Sequence, residues 1–337
     1  MNPKQHDVPR RNTTRGVYTR LGLGFVIAAL AVSSATIAQT YPSRAVRFIV
    51  PAPPGGGTDI LARTLGQRLG EMWGQQFVID NRAGAGGIVG TDLAAKALPD
   101  GHTIVMAYTS HAINPGLYPK LPYDAIRDFA PIALIAQIPN VLALHPSVQA
   151  KSVKELIALA KDKPGALLYA SAGSGTSTHL SGVLFNSMAG INMVHVPYKG
   201  ATPAFTDLVG GQVSLMFANM ASSFPHVRAG RLRVLAVTGK KRSIAAPDLP
   251  TIDEAALPGY EANAWFAVLA PRATSAAIVD KLNRAIVGII EAPDVREKLL
   301  AQGVEPMTST PADLGRFLGA EIVKWTRVVK ESGARPD

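Results

Sequence analysis

Short apolar runs rich in β-branched residues alternate with longer segments of helical period along most of this chain. The run Val-Arg-Phe-Ile-Val at 46–50 is typical of a strand, and the segment 58–73 that follows repeats apolar residues every three or four positions. Strands that alternate with helical segments favour parallel sheets with helices packed on them. We therefore predict an α/β fold with mainly parallel central sheets.

The same patterns predict most of the remaining elements. Further strands are expected at 77–80, 103–107, 133–138, 141–144, 167–170, 192–196, 215–217, 233–237 and 265–269. Further helices are expected up to Leu93, after Ser152, and at 176–188, 276–291, 294–302 and 311–330. Ser152, with Glu155 three residues later, predicts a capping box at the start of its helix.

The pattern changes after Thr238, where a long segment rich in Pro and Gly interrupts the series of strands. We interpret this segment as a crossing between two lobes. A chain that leaves one sheet near residue 142 and returns near 262 builds two lobes joined by two crossings. The predicted first lobe comprises 39–142 and 262–337, and the second comprises 143–261, including the return crossing.

Residues 1–38 are typical of a secretory signal peptide. A basic stretch precedes the apolar run 21–32, and small residues ending in Ala38 follow it. The apolar run is about a dozen residues long, whereas a membrane-spanning helix needs roughly twenty. We expect cleavage after Ala38 and export to the periplasm.

Charge and composition narrow the function. The full chain carries a net charge of +10; removal of 1–38 deletes five Lys or Arg and one Asp, which leaves +6. The positive residues are scattered, with no basic run longer than three residues, so binding to nucleic acid is disfavoured and attraction for small anions fits better. The sequence has no Cys, which excludes disulfides and thiolate chemistry.

Three glycine-rich segments each follow an apolar strand and adjoin a helix. We name them loop 1 (51–59), loop 2 (81–87) and loop 3 (171–176). Glycine lets backbone N–H groups approach a ligand closely, and helix N-termini carry unpaired donors and partial positive charge. Any one of these loops is also compatible with an ordinary turn, but three together predict an anion site in one cleft.

Residues within these loops leave alternatives open. Thr58 or Asp59 is expected to cap the helix after loop 1, and Asp59 is equally compatible with a role facing the ligand. Loop 3 is expected to supply hydroxyls and free amides to the front of its helix. His179 lies on that helix, where a packing role is favoured over a role in the cleft.

Enzymatic alternatives lack a set of reacting groups. No Gly-Lys-Ser/Thr follows the glycine loops, and Val89 stands where a dinucleotide motif needs its third glycine. Ala172 stands where a nucleophile elbow around Ser174 needs its first glycine. The histidines do not pair at a metal-binding helical spacing. We predict no catalytic residue, no metal and no cofactor.

A second polar contact is expected beside loop 3. Tyr198 and Lys199 follow a predicted strand and bring an aromatic hydroxyl and a cation close to that loop. They are equally compatible with a clamp for the far end of a ligand and with a solvated turn.

Taken in order, these motifs resemble the substrate-binding receptors of tripartite tricarboxylate transporters, often called Bug receptors. The resemblance runs from about Tyr41 to the C-terminus. Its marks are Pro-Pro-Gly-Gly-Gly-Thr-Asp at 53–59, all of loops 2 and 3, Leu-Pro-Tyr-Asp at 121–124, Val-Pro-Tyr-Lys-Gly at 196–200 and Pro-Gly-Tyr at 258–260.

The resemblance implies a type II periplasmic-binding-protein fold with a ligand cleft between the lobes. It also implies a carboxylate ligand, a membrane permease as partner, and a monomeric receptor without cofactor. The residues that it assigns to the ligand are Gly56, Gly57, Gly86, Gly87, Ser110, Ser174, Gly175, Thr176, Tyr198 and Lys199. Asp59 and Asn219 are added as candidate ligand residues. A receptor that reports to a sensor kinase and an exported hydrolase of a carboxylated substrate are the alternatives.

One position departs from the family pattern. The family commonly has Phe-Asp-Asn where this chain has Phe217, Ala218 and Asn219. If Ala218 faces the cleft, ligands with an amine are disfavoured; if it faces a neighbouring loop, the change is structural. The sequence leaves both readings open.

Overall fold

The structure, a computed structural model, describes residues 41–335, so the predicted signal peptide lies outside the described residues. The first elements are β1 (Val46–Val50), α1 (Gly57–Trp73), β2 (Phe77–Asn81), a 3₁₀ turn (Ala85–Gly87), α2 (Ile88–Ala95), β3 (Thr103–Tyr108), α3 (Ser110–Leu117) and β4 (Phe129–Ile138). The middle elements are β5 (Asn140–Leu144), α4 (Val153–Asp162), β6 (Leu168–Ser171), α5 (Ser177–Ala189), β7 (Val194–Pro197), α6 (Ala201–Val209), β8 (Leu215–Asn219), α7 (Met220–Arg228) and β9 (Arg233–Val237). The last elements are α8 (Ile252–Ala255), β10 (Ala264–Pro271), α9 (Ala276–Glu291), α10 (Pro293–Ala301), β11 (Glu305–Pro306) and α11 (Pro311–Ser332).

Within residues 41–335 the strands form two sheets. The first has the order β11-β4-β10-β3-β1-β2, and the second has the order β7-β6-β8-β5-β9. In the first sheet β1 pairs in parallel with β2 and β3, whereas β10 pairs antiparallel with β3 and β4. In the second, β6 pairs in parallel with β7 and β8, whereas β5 pairs antiparallel with β8 and β9. Strands β1 to β4 and β6 to β9 therefore each share one direction, which confirms the predicted α/β fold.

Two crossings connect the sheets. Pro139 alone separates β4 from β5, and the chain returns between Val237 and Ala264. The predicted boundary near residue 142 falls inside β5, all of which pairs in the second sheet. The two crossings are bonded to each other, because the N–H of Asn140 donates to Thr238 Oγ1 at 2.8 Å and the Thr238 N–H donates to the Asn140 carbonyl at 2.9 Å.

Both faces of each sheet are covered. Along β1, Phe48 packs in one apolar cluster and Ile49 in another; along β8, Phe217 and Met216 do the same. Successive side chains of a strand point to opposite faces, so a strand covered on both sides needs apolar residues at every position. This explains the continuous apolar runs in the sequence.

The long C-terminal helix α11 ties both parts of the fold together. It packs against α3, which follows β3 of the first sheet, and against α5, which follows β6 of the second. The buried carboxylate of Glu321 on α11 accepts hydrogen bonds from the indole N–H groups of Trp265 and Trp325, both at 2.9 Å. The bond to Trp265 fixes α11 to strand β10, and the bond to Trp325 joins successive turns of α11 itself.

Local predictions differ from the structure in several places. Helices α3, α6, α7 and α8 were not predicted, and Pro115 and Pro225 lie inside α3 and α7. Proline removes a backbone donor and weakens the helical signal, so packing rather than local preference holds α3 and α7. Strand β4 begins at Phe129, four residues before its predicted start.

The capping box predicted at Ser152 forms only in part. Ser152 accepts a hydrogen bond from the N–H of Glu155, but the Glu155 carboxylate accepts from Lys151 rather than from Ser152. A reciprocal box occurs instead between Thr251 and Glu254, at the start of α8.

Candidate functional site

Loops 1 and 2 lie side by side at the carboxyl ends of β1 and β2. The Arg82 N–H donates to the carbonyl of Val50 at 2.8 Å. The Asn81 side-chain amide donates to the carbonyl of Ala52 at 3.1 Å and to Asp59 Oδ1 at 3.0 Å. The parallel pairing of β1 with β2 brings both loops to the same edge of the sheet, and these bonds hold them together.

Asp59 organises loop 1 from within. Its Oδ2 atom accepts from the Gly55 N–H and from Arg63 Nε, each at 2.9 Å, and its side chain is buried. The hydrogen bond from Arg63 is the main cause that holds the pKa of Asp59 below its ordinary value, with further lowering by Gly55 and Asn81 against the opposing effect of burial. These contacts favour an organising role over one that faces the ligand.

The expectation that Thr58 or Asp59 caps α1 is wrong. The N-cap is Gly56, which has no side chain to offer, and Thr58 and Asp59 lie in the first helical turn. Helix α2 likewise begins after Gly87, again without a side-chain cap. The first-turn N–H groups of a helix have no partner within the helix. Loops 1 and 2 therefore present two helix N-termini, each partially positive, at one edge of the sheet.

Loop 2 needs its glycines because of its backbone. Four successive residues have positive φ: Gly84 at 138°, Ala85 at 46°, Gly86 at 62° and Gly87 at 91°. A β-carbon at Gly87 would lie 2.7 Å from Tyr108 Oη and would be crowded as well as strained. Successive N–H groups in such a turn form a concave surface suited to an anion. The N–H of Gly87, however, donates to the Gly84 carbonyl at 2.9 Å, so the expectation that this amide is open to the ligand is wrong.

Helix α3 lies between loop 2 and loop 3. On one side the Asn114 side-chain amide donates to the Gly86 carbonyl at 3.2 Å. On the other, the Ser110 hydroxyl lies 3.5 Å from the Gly175 carbonyl oxygen, and a β-carbon at Gly175 would lie 2.8 Å from Leu117 Cδ2. The structure thus brings Ser110 and Gly175 together across the two sheets.

The expectation that loop 3 offers free amides is wrong for most of its length. Its own loop and the following helix accept the hydrogen bonds of four N–H groups, those of Ala172, Gly173, Gly175 and Thr176. Thr176 is the N-cap of α5 and accepts from the N–H of His179, while its hydroxyl donates to the Gly173 carbonyl at 2.6 Å. Loop 3 therefore lines the site with a backbone that is held by its own hydrogen bonds, and most of its N–H groups are not available to a ligand.

Tyr198 and Lys199 lie beside loop 3, as expected. The Tyr198 N–H donates to the carbonyl of Ser171 at 3.1 Å. The Tyr198 hydroxyl, however, donates to Asp207 on α6 at 2.6 Å, and burial together with this carboxylate raises the pKa of Tyr198 to about 12. The Lys199 side chain is exposed. The tyrosine contact favours a structural role for that side chain.

Ala218 is fully buried and packs in an apolar cluster with Met216 and Val141. Its neighbour Asn219 is half-buried at the end of β8 and pairs with Asn140 beside the crossing. The departure from the family pattern at Ala218 is therefore accommodated by packing between the second sheet and its helices.

Several residues of the site were missed by sequence reasoning. Asn81 was quoted only as the start of loop 2, and Tyr108 and Asn114 were given no role. Asn114 lies on α3, whose helical signal is hidden by Pro115 and Gly116. The contact of Asn81 with Asp59 spans 22 positions and has no local signature.

A cavity of about 470 Å³ lies behind loop 3, between α5, β7 and the end of α11. Ser174 lines it, together with His179 and His195. Within residues 41–335, no group of three or more acidic or histidine side chains is arranged to hold a metal ion. None of the helices in that range combines the length and apolarity that a membrane-spanning helix requires.

Comparison with known proteins assigns the chain to a family. A family model described as the tripartite tricarboxylate transporter family receptor matches residues 61–334. Protein BugT of Bordetella pertussis is 39% identical over 315 residues, which cover 93% of this chain and 97% of that protein.

Two solved structures are similar throughout. An R. palustris protein with adipate is 41% identical, with a TM-score of 0.77, and the match covers 88% of this chain and 100% of that one. MatC from Rhodopseudomonas palustris with bound malate is 33% identical, with a TM-score of 0.74 and coverage of 86% and 100%. The fold, the ordered glycine loops and these matches lead to one conclusion: the chain belongs to the tripartite tricarboxylate transporter receptor family.

Proposed function

We propose that this protein is a periplasmic receptor that captures a small carboxylate between two lobes and delivers it to a tripartite tricarboxylate-type permease. The observation that carries the proposal is the pair of helix N-termini, α1 and α2, which begin without side-chain caps at adjacent glycine loops. N–H groups fixed in this way make charge-assisted hydrogen bonds to a carboxylate and lose little entropy on binding.

The three loops have different roles in binding. Gly56 and Gly57 of loop 1, with Gly86 of loop 2, offer backbone amides to one carboxylate, whereas the Gly87 N–H is already bonded to the Gly84 carbonyl. Ser110 and loop 3, including Ser174, Gly175 and Thr176, form the opposite wall. Lys199 and Asn219 lie farther along the second sheet and are the candidates for contact with the distal end of a ligand. Tyr198 lies beside them, but its hydroxyl is bonded to Asp207.

A hinged clamp accounts for the arrangement of sheets. The first lobe holds β1 to β4, β10 and β11, and the second holds β5 to β9. We place the boundaries at the crossings, near Pro139 and between 238 and 263. The hydrogen bonds of Asn140 with Thr238 join the crossings, so both bend together when one lobe closes on the other.

Related proteins support a carboxylate as the ligand. The two similar structures hold adipate and malate, which are both dicarboxylates. A dicarboxylate has a second anionic end. The backbone donors of loops 1 and 2 bind the first carboxylate and do not distinguish one dicarboxylate from another. We therefore expect the ligand to be chosen by side chains beyond these loops. We propose no catalytic step, because binding and closure suffice for a monomeric receptor.

Ligand-induced thermal stabilisation tests the proposal. The mature chain would be titrated with malate, adipate, citrate, glutamate and benzoate, with glucose as the neutral control. At a ligand concentration of 100 Kd, binding adds about 2.7 kcal/mol of stability, enough to raise Tm measurably. Stabilisation by at least one carboxylate is expected. Stabilisation by glucose alone would overturn the proposal.

The transport role needs a separate measurement. Deletion of the permease genes should abolish uptake of the stabilising carboxylate while the receptor still binds it. Uptake that persists, with loss of a transcriptional response when the receptor is deleted, would instead support a receptor that reports to a sensor kinase.

A further inference from the structure

A second cavity, apart from the proposed anion site, lies beside the second sheet. Its volume is about 550 Å³, and we name it the distal groove. It is lined by the second half of α7, the start of β9 and the turn 246–249 of the return crossing. Its larger apolar lining residues are Phe224, Val227, Leu232, Val234, Ala246 and Leu249.

Strand pairing places the distal groove at the end of the second sheet that is remote from loop 3. Along β5, Asn140 pairs with Asn219 at one end, and Leu144 pairs with Arg233 at the other. Loop 3 follows β6, which runs parallel to β8, so it lies at the Asn219 end. The groove lies at the Arg233 end, roughly 13 Å of strand away. A ligand there would not touch the glycine loops.

The apolar side chains of the groove are partly exposed extensions of the core. Val227, Val234 and Leu249 are half-buried and pack on the apolar cluster that includes Met216 and Val141. A concave apolar surface with a few charged groups is typical of a small-molecule site, and the volume lies within the usual range of about 300–1,000 Å³. The shape and lining therefore suit a ligand with an apolar body.

Arg233 brings a cation into this apolar lining. Its Nη1 atom donates to the carbonyl of Ala150 at 2.8 Å and lies 3.5 Å from the carbonyl oxygen of Val148. These contacts hold the half-buried guanidinium in place, but both acceptors are neutral, and no carboxylate of residues 41–335 forms an ion pair with it. An arginine has five N–H donors in a planar fork, so further donors remain for an anion.

Two more charged residues line the groove. Arg228 adds a second guanidinium and Asp248 adds a carboxylate, and both side chains are exposed. Two cations and one anion leave a charge of +1 on the lining. This balance favours an anionic ligand over a cationic one, and the half-buried position of Arg233 makes it the stronger of the two cations for that role.

We propose that the distal groove binds a second ligand, a small amphipathic carboxylate whose anionic head bonds to Arg233 and whose apolar body packs on Val227, Val234 and Leu249. Monocarboxylates fit this chemistry, because the apolar lining would leave a second carboxylate without a partner. The inference goes beyond the proposed function, since the groove shares no residue with loops 1, 2 and 3.

A series of straight-chain acids tests the inference. Butanoate, hexanoate and octanoate would be titrated by calorimetry into the protein with its proposed anion site saturated by malate. Acetate is the control without an apolar body, and 1-octanol is the control without a charge. Methyl NMR spectra would locate octanoate: the methyl groups of Val227, Val234 and Leu249 should shift, whereas those of Leu117, beside Gly175, should not.

Octanoate should bind with a stoichiometry of one, and acetate should show no detectable binding. Each methylene added between butanoate and octanoate should tighten binding by up to about 4-fold, which is the worth of one buried CH₂ group. The uncharged 1-octanol should bind about 10-fold more weakly than octanoate, because it makes no charge-assisted hydrogen bond to Arg233.

Variants of the groove separate the two parts of the ligand. Arg233→Gln keeps a side-chain N–H for the Ala150 carbonyl but removes the charge, so it should weaken octanoate about 10-fold and leave 1-octanol unchanged. Val227→Asp places a carboxylate among the apolar side chains and should abolish binding of both.

Charge reversal at an exposed position has a matched control. Arg228→Glu should weaken octanoate by about 2- to 5-fold, the range of an exposed ion pair. Lys298→Glu makes the same change of net charge at another exposed position, on α10, which packs in the apolar cluster of the first sheet. The affinity of Lys298→Glu should equal that of the wild type.

An affinity that does not rise along the acid series, equal binding of octanoate to wild type and Val227→Asp, or methyl shifts confined to the surroundings of Leu117 would overturn the inference. A dimer that Val227→Asp dissociates, with no octanoate bound, would assign the groove to a second copy of the chain and would overturn it as well. If Arg233→Gln fails to fold, Arg228→Glu and its control decide the role of charge.

The failure of the proposed function is distinguishable from the failure of this inference. If malate does not bind, another carboxylate that stabilises the protein replaces it in the titration. If no carboxylate fills the proposed anion site, the proposed function fails, while the acid series without malate and the shifts at Val227 and Leu249 still decide whether the distal groove binds octanoate.

Discussion

The side chains of Asp59 and Asn81 join the two glycine-rich loops of the proposed anion site, with Asp59 Oδ1 accepting from Asn81 Nδ2 at 3.0 Å. The other carboxylate oxygen of Asp59 accepts from Gly55 and Arg63. A negative charge thus lies close to a site that we propose for an anion, but its oxygens are engaged by donors of the loops. The Asp59 side chain holds loops 1 and 2, and the N–H donors that they carry, in fixed positions relative to each other.

Replacement of Asp59 by Ala should weaken both the fold and the affinity for carboxylates. The change leaves the Gly55 N–H without its acceptor and Asn81 with only the Ala52 carbonyl, and the loss of these bonds should lower the free energy of unfolding by about 1–3 kcal/mol. Urea unfolding and malate titration would measure the two effects. Asp124→Ala is the control, because the Asp124 side chain accepts only from Ile126 and Arg127 of its own turn.

The lowered pKa of Asp59 gives this prediction a pH dependence. Because the folded-state pKa lies below the unfolded one, the ionised carboxylate stabilises the fold above the unfolded pKa of about 3.9. That contribution is lost as the pH falls through the folded value. The stability difference between wild type and Asp59→Ala should therefore shrink in acid. A constant difference down to pH 2 would contradict this account.

Replacement of Gly87 by Ala should disrupt loop 2. The added β-carbon would lie 2.7 Å from Tyr108 Oη and 3.2 Å from the Pro51 carbonyl, at a φ of +91°. We expect a loss of about 1–3 kcal/mol in the free energy of unfolding. Gly56→Ala is the matched control, because its φ is −83° and the nearest atom to the new β-carbon is 4.0 Å away.

Gly56→Ala should cost less than about 1 kcal/mol. Similar losses for the two variants would show that the strained turn is unimportant. Gly86→Val would not test ligand binding separately from folding. Gly86 has a φ of +62°, and a β-branched residue there strains the backbone even without a ligand.

Replacement of Ala218 by Asp should destabilise the protein severely. The site is fully buried among apolar side chains, and an unpaired carboxylate there must either become protonated or disrupt the packing. We expect a Tm loss well above that of Asn219→Asp, at the neighbouring half-buried position. A folded Ala218→Asp protein of normal Tm that gained affinity for glutamate would show instead that this position faces the ligand.

Local pattern alone predicted a large part of the fold. The strands and several long helices follow from apolar periods, because one turn or one pleat decides which residue faces the core. The glycine loops were found in the same way, since each lies at a strand-to-helix junction. Helix α3 was not found, because Pro115 and Gly116 weaken its local signal and its stability comes from buried contacts of Ala112 and Ile113.

The sequence by itself determined the class of fold, the family resemblance and the positions of the three glycine loops at strand-to-helix junctions. Tertiary structure decided the rest. Most N–H groups of loop 3 donate to His179 and other neighbouring residues, and the Tyr198 hydroxyl donates to Asp207. Ala218 lies in the core. The physical reason is that a hydrogen-bonding group is free or engaged according to what the fold brings within about 3 Å of it. Spacing along the chain cannot report that distance.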